Sequence, residues 1–256
     1  MRNLYRLVKT LPLFEDCRST VAFLRLAKSC FWRKVTDSSP VSLRLKPLGG
    51  RSICCRPNTR DVSVLMYVFG ERYHLPPPEI GPVHNIIDLG SNIGLTVASY
   101  AALYPDARIL GVELDSGNAA LCRRNVEPWS SRVEVICGAV WPHDGEVAYS
   151  GDGEDAYRVA SPSGSISLRT APALSMSSLL DRFGSFDIDF VKMDIEGAEE
   201  QVLDCAEGWI RRVRCLSVEV HQPYSVARCM AALARFGFRC TADHRDPPCV
   251  LAVRTA

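Results

Sequence analysis

Residues 84–94 constrain the fold of this chain more than any other stretch of the sequence. An apolar run at residues 85–89 predicts a buried strand, and two glycines, Gly90 and Gly94, follow it. A helical pattern of apolar residues begins at once after the second glycine. A strand, a glycine turn and a helix N-terminus create a place where a ligand can approach bare backbone N–H groups. We therefore predict a ligand at the carboxyl end of this strand.

The turn differs from two common nucleotide-binding fingerprints. The dehydrogenase pattern G-x-G-x-x-G needs a glycine where this chain has Asn92, and the phosphate loop needs a lysine where it has Leu95. The observed form, Asp-x-Gly-x-x-x-Gly, resembles the first motif of Rossmann-like S-adenosylmethionine methyltransferases. An ordinary turn without a ligand is the alternative. Five residues of the turn are predicted to bind the cofactor: Asp88, Gly90, Ser91, Asn92 and Gly94.

Composition excludes several classes of protein. The 256 residues are 47% hydrophobic with a net charge of +1, so no broad positive field favours nucleic acid, and we predict no nucleic-acid partner. The 11 cysteines include no C-x-x-C pair, which favours reduced thiols in a cytoplasmic protein over a disulfide framework. No apolar run reaches the ~18 residues of a membrane span, and charges interrupt the segment where a signal peptide would have its apolar core.

Two regions are predicted: an N-terminal extension over residues 1–80 and a Rossmann-like domain over residues 81–256. In residues 1–36, apolar and basic side chains alternate near helical spacing. This segment is interpreted as a helical layer that closes over the domain, or else as a peripheral contact with an anionic membrane or a lipid-linked substrate. A hairpin and a helix follow it, and three prolines then mark the join.

From residue 85 onward, predicted strands and helices alternate, which favours a mostly parallel α/β sheet. The last two strands, at residues 238–241 and 250–253, are predicted to form an antiparallel hairpin at the edge of the sheet. Residues 141–173 interrupt the alternation with a polar, irregular section. Within it, residues 146–149 and 165–169 look like short strands.

Polar or small residues follow the predicted strands at the edge where α/β folds bind ligands. Glu113 ends the second strand, at a spacing from the glycine turn where an acidic side chain accepts hydrogen bonds from a ribose diol. Gly138 and Ala139 follow the third strand and would leave space for a flat base, although a tight turn explains them almost as well. All three are predicted to bind the cofactor.

Charged residues at the end of the fourth strand are the strongest indication of catalysis. Alternation along the strand puts Lys192 and Asp194 on one face, and by extension Glu196. Charges at a buried strand end are costly unless they are paired or used. We therefore predict a function for these residues, whereas Glu199 and Glu200 are interpreted as helix-capping carboxylates with a structural ion pair.

His221, at the end of the fifth strand, completes the predicted catalytic group. Its ordinary pKa makes it the best general base, and Asp194 is the alternative. Oxygen and imidazole ligands from Asp194, Glu196 and His221 would suit Mg²⁺ or Mn²⁺. Positions at strand ends do not show that these side chains converge, however, so no metal site is predicted.

Residues 86–94, 190–199 and 218–221 together resemble the FkbM family of methyltransferases. The block Asp-Ile-Glu-Gly-Ala-Glu at residues 194–199 is far more specific than the glycine turn. The resemblance extends over about residues 59–241. It implies a Rossmann-like methyltransferase fold, a mostly parallel seven-stranded sheet with helices on both faces, after an N-terminal helical and hairpin extension. It also implies S-adenosyl-L-methionine as the methyl donor and usually a hydroxyl oxygen as the acceptor.

The resemblance thus implies an O-methyltransferase acting on a hydroxyl group of a sugar, a glycolipid or a related natural product. Two other classes stay open at this point. A nicotinamide-dependent oxidoreductase would share the fold, but the missing middle glycine and the Asp-Ile-Glu-Gly block argue against it. A non-catalytic Rossmann-like domain would bind no cofactor, although every cofactor residue is in place. The predicted catalytic residues are Lys192, Asp194, Glu196 and His221.

Overall fold

Three α-helices and a hairpin precede the central sheet in the computed structural model, which describes residues 2–32, 34–150, 158–159, 169–243 and 248–255. These first elements are α1 (Arg2–Thr10), α2 (Cys17–Phe31), β1 (Val41–Arg44), β2 (Ser52–Cys55) and α3 (Asp61–Leu65), which continues as a π-helix over Met66–Glu71. The strands β1 and β2 pair antiparallel, so the predicted hairpin is confirmed.

Strands and helices then alternate as the sequence predicted. The first half of this region contains β3 (Asn85–Leu89), α4 (Leu95–Leu103), β4 (Arg108–Glu113), α5 (Ser116–Val126), β5 (Val133–Cys137), β6 (Ala139–Val140), β7 (Gly145–Ser150), β8 (Arg158–Val159), β9 (Arg169–Leu174) and α6 (Met176–Asp181). The second half contains β10 (Phe190–Met193), α7 (Glu199–Asp204), β11 (Cys215–Glu219), α8 (Val226–Ala234), β12 (Phe238–Asp243) and β13 (Cys249–Arg254).

The central sheet has seven strands in the order β12-β13-β11-β10-β3-β4-β5. Strands β11, β10, β3, β4 and β5 pair in parallel, and β13 pairs antiparallel with both β11 and β12. This confirms the Rossmann-like fold and the antiparallel edge hairpin. The carboxyl ends of β10, β3 and β4 therefore lie side by side at one edge, where ligands bind in this architecture.

A second, smaller sheet, β6-β9-β7-β8, occupies the polar section after β5. Its strand β7 confirms the strand predicted at residues 146–149. Of the strand predicted at residues 165–169, all but Arg169 lies outside the described residues, and Arg169 begins β9. The small sheet lies beside the end of β5, next to the edge of the central sheet where the carboxyl ends of the parallel strands meet.

Burial on both faces explains why the consecutive residues Ile86 and Ile87 of β3 are both apolar. Ile86 packs into one hydrophobic cluster together with α4 and the N-terminal elements, whereas Ile87 packs into another with α6, α7 and α8. Both side chains are fully buried. Successive residues of a strand point to opposite faces, so the sheet has a layer on each side.

The N-terminal elements form the layer on the Ile86 side. Phe23 of α2 and Leu43 of β1 are fully buried in the same cluster as Phe190 of the central sheet. The inner face of α2 is thus part of the main core, as predicted for a closing helical layer. Residues on both sides of position 80 share this core, so the core does not divide the chain there. The domain boundary placed at residue 80 stays a prediction. Among the described residues, no helix is long and apolar enough to cross a membrane.

Candidate active site

The turn after β3 touches the end of β10 through its backbone. Gly90 has φ +77°, and a Cβ atom there would lie 1.7 Å from the carbonyl oxygen of Asp194. The N–H groups of Gly90 and Ser91 both donate to Val112 O, each at 2.9 Å. Only glycine satisfies both the φ angle and the close approach. Gly90 therefore brings the glycine turn and the Asp-Ile-Glu-Gly block into contact.

Glu113 stabilises the turn through hydrogen bonds and also faces its ligand side. Its Oε2 accepts the N–H of Asn92 at 2.8 Å, and its Oε1 accepts the N–H of Asp115 at 2.9 Å. Burial raises the pKa of Glu113, although these two N–H groups oppose the shift. A carboxylate has about four acceptor positions. Glu113 can therefore hold the turn and still accept hydrogen bonds from a ligand.

An open cleft of about 630 Å³ lies at this edge of the sheet. It brings together seven of the predicted site residues, namely Gly90, Asn92, Glu113, Gly138, Ala139, Asp194 and Glu196. The remaining predicted residues do not line it, namely Asp88, Ser91, Gly94, Lys192 and His221. Asn118 also lines the cleft and was missed by the sequence analysis. Its position in the first turn of the helix that follows Glu113 was the available signal.

The cleft residues fit S-adenosylmethionine. The Oδ1 atom of Asn92 is buried and has no hydrogen-bond partner among the described residues, so it can accept from an amine or hydroxyl of a ligand. Gly138 also lines the cleft and packs closely on β9, where a Cβ atom would meet Pro172 O at 2.9 Å. Asn92 and Glu113 thus supply acceptors for the polar groups of the cofactor, beside the small residues Gly138 and Ala139.

Asp88 lies behind the cleft wall and supports Lys192. The two residues are opposite one another on the neighbouring strands β3 and β10. Asp88 is fully buried, its Oδ1 lies 3.4 Å from Lys192 Nζ, and its Oδ2 accepts the hydroxyl of Thr96. Burial raises the pKa of Asp88, while the Lys192 charge opposes this. Lys192 then reaches Asp194, with 3.2 Å between Nζ and Oδ2.

Two opposing effects act on the ammonium group of Lys192. Burial favours its neutral form, but the carboxylates of Asp194 and Asp88 outweigh burial and raise the pKa of Lys192 well above its ordinary value. The chain Asp88–Lys192–Asp194 therefore fixes one oxygen of Asp194 at the cleft.

His221 lies beside the cleft, surrounded by carboxylates. Its Nδ1 is 2.8 Å from Glu199 Oε1, and its Nε2 is 3.5 Å from Glu196 Oε2, 3.6 Å from Glu219 Oε1 and 3.9 Å from Asp194 Oδ1. Burial lowers the pKa of His221, but Glu199 and the other carboxylates raise it to about 9. Burial also raises the pKa of Glu219, to about 8.

Two residues of the Asp-Ile-Glu-Gly-Ala-Glu block differ from their predicted roles. Glu199 accepts the N–H groups of Ile195 and Gly197 at 3.1 and 3.2 Å, which holds the turn before α7 but does not cap the helix, since the N-cap residue Ala198 has no side-chain capping bond. Its ion-pair partner is His221, however, which makes Glu199 part of the site. The strand ends at Met193, so alternation does not place Glu196. A left-handed backbone with φ +54° directs Glu196 toward His221 instead.

Fold and site together define a Rossmann-like methyltransferase. Residues 88–240, more than half of the chain, match the model of the Methyltransferase FkbM domain. The chain belongs to the FkbM family of methyltransferases, and its cofactor is S-adenosyl-L-methionine. Of the three classes left open by the sequence, the methyltransferase is thereby confirmed. No curated protein matches the chain.

Several solved structures with a similar fold are distant in sequence. The METTL16 methyltransferase domain is 17% identical, with 75% of this chain and 65% of that chain covered and a TM-score of 0.43. A precorrin-6y C5,15-methyltransferase from Geobacter metallireducens has 12% identity, 72% and 85% coverage and a TM-score of 0.42. The N-terminal domain of EvdMO1 with SAH bound has 15% identity, 70% and 78% coverage and a TM-score of 0.43. The chain thus spans less than two thirds of the METTL16 domain.

Proposed function

We propose that the protein transfers the methyl group to a hydroxyl oxygen of a sugar, a glycolipid or a related natural product. The observation that carries this proposal is the position of Asp194, which lines the cofactor cleft and is held there by Lys192 at 3.2 Å. S-adenosylmethionine supplies a methyl group that is already electrophilic because it is bound to a sulfonium. The protein's residues must therefore orient the acceptor and take up its proton.

Geometry favours Asp194 over His221 as the group that accepts this proton. Asp194 lines the cleft, whereas His221 lies behind it with its Nδ1 committed to Glu199 at 2.8 Å. Lys192 holds Oδ2 of Asp194, which leaves its other oxygen for an acceptor. A hydroxyl group needs such a base because it must lose its proton as the new bond to carbon forms.

The charge of the site supports a polyhydroxylated acceptor. Asp194 and Glu196 line the cleft, and Glu219 lies behind them near His221. Carboxylates accept hydrogen bonds, and the hydroxyl groups of a sugar donate them. The same carboxylates repel phosphate or carboxylate groups close to the reacting oxygen. A neutral sugar hydroxyl is therefore the acceptor that suits this edge of the cleft best.

A labelled-methyl transfer screen against sugars, glycolipids, polyketides and amines tests the proposal. We expect O-methylated sugar or glycolipid, and we expect Asp194→Asn to lower the rate by about 10²-fold or more while binding of S-adenosylhomocysteine persists. Labelled methylamines with no labelled ether product would contradict the proposed acceptor. Full activity of Asp194→Asn would contradict the role of Asp194.

The outer face of α2 supports a membrane-bound acceptor, and we propose that this face contacts an anionic lipid surface. Apolar side chains on it are exposed, with Val21 at 48%, Leu24 at 41% and Trp32, directly after the helix, at 68%. Three cations without ion-pair partners among the described residues accompany them, namely Arg18, Arg25 and Lys28, and α2 contains no acidic residue. Basic and apolar residues with a tryptophan on one face are typical of helices that lie on membranes.

Vesicle sedimentation tests this contact without disturbing the core. The double substitution Arg25→Glu, Lys28→Glu should abolish binding to phosphatidylserine-rich vesicles, and wild-type binding should weaken as salt is added. The matched control is Arg124→Glu, an exposed charge reversal on α5. Wild-type protein that binds neutral and anionic vesicles equally, or an α2 variant that still sediments, would refute the contact.

A further inference from the structure

Three metal-binding side chains converge beside the cleft at the ends of β10 and β11. Asp194, Glu219 and His221 each offer one ligand atom, and these three atoms all lie within 4.8 Å of one another. The imidazole nitrogen is 3.9 Å from the Asp194 oxygen and 3.6 Å from the Glu219 oxygen. We propose that these three atoms bind a divalent cation of the Mn²⁺ or Mg²⁺ type. The residue types at positions 194 and 221 had already suggested a cation, but the convergence with Glu219 depends on how two neighbouring strands end.

The distances leave room for a cation between the three atoms. In an octahedral Mg²⁺-like site with bonds of about 2.1 Å, adjacent ligand atoms are roughly 3.0 Å apart. The two separations from His221 Nε2, 3.9 Å to Asp194 and 3.6 Å to Glu219, are longer than this by less than 1 Å, and the ligand atoms of Asp194 and Glu219 lie within 4.8 Å of each other. Both carboxylate side chains are only partly buried, so rotation of the carboxylate groups can shorten these separations.

The imidazole is oriented for this purpose by Glu199. Glu199 is completely buried, and its Oε1 lies 2.8 Å from His221 Nδ1. The N–H groups of Ile195 and Gly197 fix that same oxygen. With Nδ1 engaged, the ring presents only Nε2 to Asp194 and Glu219. A carboxylate on the distal nitrogen is the usual arrangement by which proteins orient a metal-binding histidine.

The charge balance also favours a cation. Three carboxylate oxygens, from Asp194, Glu196 and Glu219, lie within 3.9 Å of Nε2. The lysine nearest to them, Lys192, is shared between Asp194 and the buried Asp88. Several partly buried anions are stable together only when positive charge compensates them. A divalent cation at the centre of the three ligand atoms supplies that charge.

Three protein ligands leave about three positions of a six-coordinate ion for water or substrate. Asp194 belongs both to this site and to the cleft, so oxygens of an acceptor could occupy the open positions. A bound hydroxyl would then lose its proton more easily. This consequence rests on the proposed function and would favour acceptors with two neighbouring hydroxyl groups. Cation binding itself depends on neither the acceptor nor methyl transfer.

Titration of chelator-treated full-length protein with Mn²⁺, followed by electron paramagnetic resonance, tests the site. We expect one Mn²⁺ per chain for the wild type. The substitutions Glu219→Gln and His221→Gln, which keep the side-chain size, should each weaken Mn²⁺ binding by tenfold or more. Glu199→Gln should weaken it by about 10–100-fold through loss of ring orientation. Glu200→Gln is the matched control, because Glu200 pairs with Arg228 outside this group.

Binding of S-adenosylhomocysteine by each variant, measured by calorimetry, shows that the cleft is intact. The site is refuted if the wild type leaves the signal of free Mn²⁺ unchanged up to millimolar concentration. It is equally refuted if Glu219→Gln and His221→Gln bind Mn²⁺ as tightly as Glu200→Gln does. Failure of the acceptor screen with normal Mn²⁺ binding would count against the proposed acceptor alone.

Discussion

At Gly90 the backbone of the cofactor turn meets the backbone that carries Asp194. The positive φ of +77° and the 1.7 Å approach to Asp194 O leave no space for a side chain. We expect Gly90→Ala to destabilise the protein by on the order of 2–4 kcal/mol and to weaken binding of S-adenosylhomocysteine, because the turn must shift. Urea unfolding and calorimetry measure the two effects.

Gly184 provides the control for this substitution. It also has a positive φ, +63°, but a Cβ atom there would meet nothing within 4 Å. Gly184→Ala should therefore cost only about 1 kcal/mol, the strain of the backbone alone, and leave ligand affinity unchanged. Equal effects of the two substitutions would show that the contact with Asp194 is unimportant.

Glu113 permits a second test at the scale of one residue. Its two oxygens accept the N–H groups of Asn92 and Asp115, and the side chain borders the cleft. Glu113→Gln keeps the shape but replaces one acceptor with a donor that faces an N–H group. We expect affinity for S-adenosylhomocysteine to fall by about tenfold or more, since a hydrogen bond to a charged group contributes about 1.5–3 kcal/mol. Glu134→Gln, on the exposed surface of β5, should leave the affinity unaltered.

At the scale of elements, Asn125 joins the N-terminal hairpin to the methyltransferase fold. Its amide nitrogen donates to Cys54 O at 3.0 Å and to Ile93 O at 2.8 Å, and its Oδ1 accepts the N–H of Cys54 at 2.7 Å. All of these groups are buried. Asn125→Ala should destabilise the protein by about 2–4 kcal/mol, because it leaves several buried polar groups without partners. Asn85→Ala, which removes one exposed bond to Asp187 O, should cost under about 1 kcal/mol in the same unfolding assay.

Local patterns account for the elements that the sequence predicted correctly. The apolar run of β3, the glycines after it and the helical spacing of α4 each depend on neighbouring residues, so the βα unit was predictable. The direction of Glu196 was not, because β10 ends at Met193 and Glu196 itself has a left-handed backbone. The pairing of Glu199 with His221 also escaped prediction, since it joins residues 22 positions apart on different elements. Specific contacts of this kind depend on how the strands are arranged.

At the scale of the whole molecule, one core spans the N-terminal extension and the sheet. Phe23 and Leu43 share a hydrophobic cluster with Ile86 and Phe190. A chain that begins at residue 57 would expose that side of the sheet. We expect its midpoint of thermal unfolding to fall by at least about 10 °C, the shift produced by several kcal/mol in a chain of this size. An unchanged midpoint in scanning calorimetry would show that residues 57–256 are stable without the first helices and the hairpin.

The shared core also determines when α2 can pack during synthesis of the chain. Ribosomes release the N-terminus first, and Phe23 precedes its core partner Phe190 by most of the length of the chain. Until β10 emerges, the apolar face of α2 has no complete surface against which to pack. The segment that finally covers the sheet is thus made well before its core partner and packs late. Its apolar face is exposed during that interval, and exposed apolar surface is what makes incomplete chains prone to aggregation.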